Sequence, residues 1–192
     1  MQTQNIQEYF DGRREQAGED PALLQQLEDE IKNHRLALVE ANKYGGKISQ
    51  EVLKIGEFTD DRIAEALGGV VTLDKVGLKD FNELLYVYLH EGYHNRGIRN
   101  EGLVQKGIQL YGPDIVKQKA AQDYAEEQLA VDEVARRIGT QNAFQLYDNG
   151  DYTKMYNQFR YVCMAEENMS EEDVMAMFFK AFPELKFEAT VH

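Results

Sequence analysis

The chain has 192 residues, enough for one domain or for one domain with an appendage. Hydrophobic residues make up 43% of it and charged residues 29%, the balance of a globular protein with a core of its own. The formal charge of -13 is spread along the chain and repels phosphate backbones and anionic lipid, which excludes nucleic acid and membrane surfaces as natural partners.

The first sixteen residues, MQTQNIQEYFDGRREQ, lack the apolar core of a secretory leader, and no run reaches the length of a membrane span. The single cysteine, Cys163, excludes an internal disulfide, and its apolar neighbours in FRYVCMAEE point to a buried thiol. A reduced, cytoplasmic protein is expected.

EDPALLQQLEDEIKNHRLALVEANKYGG carries the signals of a long helix: Asp20 as cap, Pro21 at the first helical position and Gly45 as the stop. Leu24, Leu27, Ile31 and Leu38 form its apolar stripe, with His34 in the same line as a half-buried spacer rather than a ligand. Residues 1–46 are thus expected to be an N-terminal helical segment, and residues 47–192 the main domain. KISQEVLKIG and TDDRIAEALGG read as two short helices, with Ser49 and Thr59 as caps and Gly68 with Gly69 closing the second. Val70 to Leu73 is the best strand candidate, and Val76 starts a second. GGVVTLDKVG would then offer either a packed hairpin or an edge strand able to pair with an extended peptide.

Asp80 caps the next helix, which runs through LLYVYLHEGYHN and is stopped by Gly97. Asn100 caps NEGLVQKGIQLYG, and PDIVKQKAAQDYAEEQLAVDEVARRIG reads as one long helix ended by Gly139. Helices follow over TQNAFQLYDNG, DYTKMYNQFRYVCMAEEN and SEEDVMAMFFKAFPEL, the last with a capping box of Ser170 and Asp173 and a stop before Pro183. Tyr156, Phe159, Met175, Met177, Phe178 and Phe179 recur at helical spacing as core residues. The fold class is mainly α (α+β), with a small β-sheet or hairpin before the helix that carries the histidines.

That helix holds the chemistry. His90 and His94 lie four apart, so their imidazoles share one face, one turn apart, within reach of one ion. Glu91 is rotated away by one residue, which sets a carboxylate beside the ion rather than on it, where a base would take a proton from an attacking water. Phe81, Leu84, Leu85, Tyr88 and Leu89 form one apolar stripe and Tyr86 and Val87 extend it to a second side, so the helix is expected to be buried.

HEGYH resembles the His-Glu-x-x-His signature of the zincin metallopeptidases. The resemblance covers residues 80–96 and a short segment after them. It implies a zincin-like helical domain, zinc as the cofactor, His90 and His94 as ligands, and Glu91 as the general base for peptide hydrolysis. A third protein ligand is needed, and catalytic sites leave the fourth position to water. NEGL resembles the segment of some glutamate-ligated zincins, the gluzincins, whose Glu binds the metal, and so nominates Glu101, although only six residues separate it from His94. Asn100 stands where the metzincin pattern has a His or Asp, but a neutral amide is a poor ligand. Glu127 falls on the line Tyr124, Glu127, Val131, Val134, Ile138, where a carboxylate needs a metal or a partner; it is the alternative third ligand or a group holding a histidine N–H. Glu101 is preferred.

The expected function is zinc-dependent hydrolysis of a peptide or protein substrate, with Tyr93, Tyr124 and Tyr147 as candidate donors to the oxyanion. Two other classes fit the same residues: a catalytically inactive zincin-fold binding module, and a helical interaction protein with incidental histidines.

Overall fold

The computed structural model describes residues 3–59, 63–75 and 80–186. Helices dominate it, and the described strands form one small sheet. The chain divides into two compact units, Met1–Arg96 and Gly97–His192.

The first unit contains β1 (Gln4–Asn5), α1 (Ile6–Ala17), α2 (Pro21–Lys43), β2 (Leu53–Gly56), β3 (Ala64–Leu67), β4 (Val70–Asp74) and α3 (Phe81–Asn95). The long helix forms as expected, because Asp20 accepts the N–H groups of Ala22 and Leu23 and Pro21 opens the first turn. Of the expected stripe Leu27 and His34 are buried and Leu24, Ile31 and Leu38 half-buried; the buried line continues through Glu30, Ala37 and Ala41, the small residues letting α2 lie close along α3. Two buried polar groups in that line are satisfied. Arg13 of α1 donates to both oxygens of Glu30 at 2.8 and 2.9 Å. His34 Nδ1 lies 2.7 Å from the Tyr88 hydroxyl of α3, and the His34 ring meets Phe10 edge-on.

Among the described residues, neither of the two short helices expected over residues 47–69 is present. KISQEVLKIG is a brief 3-10 turn, Gln50–Val52, followed by β2, and Ala64–Leu67 is β3. Gly68 and Gly69 both have positive φ, 59° and 83°, and Leu67 pairs directly with Val70. They are the two-residue turn of a hairpin, a backbone that glycine adopts without strain, and not a helix stop. The residues that would follow a cap at Thr59, 60–62, and the second strand expected at Val76 lie outside the described residues. The sheet order is β1-β2-β4-β3, with β4 parallel to β2 and antiparallel to β3. Val71 and Leu73 face the core opposite Leu53 and Ile55. β4 is therefore interior, and both its edges are already paired. It cannot take up an extended peptide as the sequence suggested.

The second unit contains α4 (Glu101–Tyr111), α5 (Asp114–Gln122), α6 (Ala125–Ile138), α7 (Thr140–Asp148), α8 (Tyr152–Ala165), α9 (Glu171–Ala181) and a closing 3-10 turn, Pro183–Lys186. α6 is its axis and touches α4, α7, α8 and α9. Val131, Val134, Phe159, Phe178 and Phe182 fill the core. Of the expected core residues, Met175 is instead exposed. Cys163 is fully buried, and that burial raises its thiol pKa.

The single long helix expected over residues 113–139 is broken in two. Tyr124 takes a left-handed backbone, φ 54°, between α5 and α6. The carbonyls freed at the break are answered by Gln128, whose Nε2 donates to Ala120 O at 2.8 Å and to Asp123 O at 2.5 Å. No described helix is long and apolar enough to cross a membrane.

Candidate metal centre

α3 starts where Asp80 accepts the N–H groups of Asn82 and Glu83. From Leu84 to Tyr93 every residue is buried, so the helix that carries the histidines is a core helix, as its apolar sides predicted. His90 is 7% exposed and Glu91 6%. His94, one turn on, is half-buried. The helix ends at Asn95, and Gly97 follows with φ 100°, the left-handed position that closes helices.

The two imidazoles point at each other. His90 Nε2 and His94 Nε2 are 3.1 Å apart, with ring centroids at 4.7 Å. Without a cation, one nitrogen must carry a proton and the other accept it. With a cation the spacing suits joint ligation, because two nitrogens bound at about 2.0–2.1 Å in tetrahedral geometry stand roughly 3.3 Å apart. Glu101 is the first residue of α4, and its Oε2 is buried. His90, His94 and Glu101 each offer one ligand atom, and these atoms all lie within 4.8 Å of one another. Among the described residues they are the one such group of three. Two imidazole nitrogens and a carboxylate oxygen form a donor set that fits a transition-metal ion and leaves a position open.

The other nominated groups are placed elsewhere. Asn100 uses its amide as the α4 cap, Oδ1 accepting Leu103 N–H at 3.0 Å. Glu127 is exposed on α6 and is not in the group. The inward face of α6 is formed by Gln128, Val131, Val134 and Ala135. His34 belongs to the Tyr88 contact and is not in the group either. Of the candidate oxyanion donors, the Tyr93 hydroxyl donates to Tyr44 O at 3.2 Å and the Tyr147 hydroxyl to Glu184 Oε1 at 2.8 Å. Tyr124 is 43% exposed at the helix break.

Of the two middle residues of HEGYH, only Tyr93 was expected to have a role, as an oxyanion donor. The structure gives both a task. Gly92 admits the backbone of Gly46, and Tyr93 ties down Tyr44. Arg96 adds a bond from Nη1 to Gly45 O at 3.3 Å. The signal in the sequence is the Tyr-Gly-Gly at 44–46, which marks a tight backbone approach as well as a helix end.

No protein-family model, no curated protein and no solved structure matches the chain.

Proposed function

We propose that this chain is a zinc-dependent metallopeptidase, gluzincin-like in its ligand set of His90, His94 and Glu101. The observation that carries the reading is the grouping of two imidazoles and one carboxylate within 4.8 Å, with Glu91 buried beside His90 on the same helix. Imidazole with carboxylate suits zinc among the first-row ions. Zinc held there would lower the pKa of water towards neutrality and polarise a peptide carbonyl.

The chain's own residues supply the rest. His90 and His94 ligate as neutral rings from one rigid, buried turn, so little order is lost on loading. Glu91 follows His90 in the helix and is not in the ligand set, and its carboxylate would accept a proton from the attacking water and return it to the leaving amine. The substrate is a peptide or protein. Glu91→Gln keeps the ligands and removes the base. Metal analysis and a peptide-cleavage assay on the two proteins test the reading. Stoichiometric zinc in both, with cleavage only in the parent, is the expected result. Undiminished cleavage by Glu91→Gln, or a parent protein that takes up no zinc, overturns it.

A further inference from the structure

The next inference rests on the metal-centre reading and concerns what holds its carboxylate. Glu101 opens α4, and its neighbours on both sides are fixed within the second unit. Before it, Asn100 caps the helix and also donates from Nδ2 to Ala181 O at 2.7 Å, with Glu184 Oε2 at 3.5 Å. Glu184 is held in turn by the Tyr147 hydroxyl, which donates to Oε1 at 2.8 Å, and the Arg99 backbone amide bonds to the same phenol. Burial, and then the Glu184 charge, raise the Tyr147 pKa far above the ordinary tyrosine value, so the phenol stays a donor. After Glu101, Gly102 lies against α6, where a Cβ would stand 2.5 Å from Glu127 O.

A helix cap needs only the bond from Asn100 Oδ1 to Leu103 N–H. The bonds through Nδ2, Glu184 and Tyr147 add nothing to capping. They fix the backbone at residues 99 and 100, while Gly102 fixes it on the far side. The backbone on both sides of Glu101 is thus held within the second unit. A carboxylate ligand on a frayed helix end would have to be ordered, backbone and all, each time a metal bound, whereas the backbone that carries this one is ordered in advance.

We infer that Asn100, Tyr147 and Glu184 are positioning residues that hold Glu101 for metal ligation, so that the closing turn Pro183–Lys186 is part of the metal centre's support. The test compares the parent protein with Tyr147→Phe, Glu184→Ala, Glu184→Gln and Glu101→Gln. Zinc affinity is read by competition with a chromophoric chelator, and the ligand field from the visible spectrum of the cobalt-loaded proteins. Glu101→Gln should lose zinc most severely. Glu184→Ala and Tyr147→Phe should weaken zinc by about 10–100-fold and alter the cobalt spectrum. Glu184→Gln, which keeps an acceptor for the Tyr147 hydroxyl, should recover most of that loss, a rescue that a purely structural role would not produce at the metal. Should Glu184→Ala fail to fold, Tyr147→Phe carries the test alone. Parent-like zinc affinity and cobalt spectra in the support variants, whatever their thermal stability, overturn the inference while a damaged Glu101→Gln preserves the metal-centre reading. Unchanged zinc binding in Glu101→Gln overturns both.

Discussion

Gly92 of α3 faces Gly46 in the turn after α2 so closely that a Cβ at position 92 would overlap the Gly46 carbonyl oxygen and stand 2.5 Å from its Cα. Tyr93 and Arg96 bond the carbonyls of Tyr44 and Gly45, so three successive residues of that turn are seated on the last turns of the histidine helix. Gly92→Ala has no room and must separate helix and turn. Overpacking of this kind costs about 1–3 kcal/mol. The same displacement moves both histidines, so metal affinity should fall with stability. Gly46→Ala should be milder, because its Cβ would meet Ala41 O at 3.1 Å. Thermal unfolding of the two variants ranks them. A Gly92→Ala protein as stable as the parent would mean that the close approach is not a constraint.

What the sequence made legible was mostly local. Asp20, Asp80, Asn100 and Ser170 each cap the helix assigned to them, because the cap bond joins residues two or three apart. The imidazole pair was legible for the same reason, since one helix turn dictates it. What failed was non-local or rested on an ambiguous glycine. β2 is a strand because it lies beside β4, some eighteen residues further on, and nothing within LKIG announces that pairing. Gly68 and Gly69 signal a hairpin turn as well as a helix end, and the sheet decides between them. Glu127 was misplaced because the inward face of α6 is centred on Gln128, Val131, Val134 and Ala135, which leaves Glu127 at its edge, and Gln128, polar by type, proved to be the buried residue.

Gln128 should accordingly matter more than its polarity suggests. Its amide serves Ala120 O and Asp123 O, and its Oε1 accepts from Gln109 at 2.6 Å. Gln128→Leu keeps the bulk and strands Asp123 O, while Ala120 O keeps only the longer bond from Gln109 Nε2 at 3.2 Å. Each buried polar group left unsatisfied costs about 1–3 kcal/mol. Urea unfolding should show a drop in that range or above it, with Glu127→Gln close to the parent. Equal losses in the two variants would restore a buried role for Glu127.

Arg137 offers a prediction with a pH sign. Its side chain is only 6% exposed, lies over the Phe159 ring and donates to both oxygens of Glu167 at 2.7 to 3.1 Å. That hydrogen bonding holds the Glu167 pKa below the ordinary carboxylate value. A lowered folded-state pKa contributes stability above the unfolded value of about 4.3, and the contribution is lost as pH falls through the folded value. Glu167→Gln should therefore melt below the parent at neutral pH. The gap should close as pH drops below about 4, where the parent carboxyl is itself becoming neutral. A gap that stays constant across this range would assign the loss to packing rather than to charge.

The metal reading makes a stability prediction independent of any cleavage assay. A ligand that binds only the folded chain stabilises it by about 2.7 kcal/mol when present at a hundred times its Kd. Zinc should thus raise the melting temperature of the parent protein, and EDTA should reverse the rise. His94→Ala removes one of three donors and should abolish the zinc-dependent increment. His34→Ala is the informative control, since it removes a buried imidazole of comparable size from the same unit but outside the metal group. It should melt lower than the parent, through loss of the Tyr88 contact, and still gain the full increment from zinc. An increment that vanishes in both variants would show that zinc stabilises the fold without using the His90 and His94 pair in particular. An increment that survives His94→Ala would place the ion elsewhere.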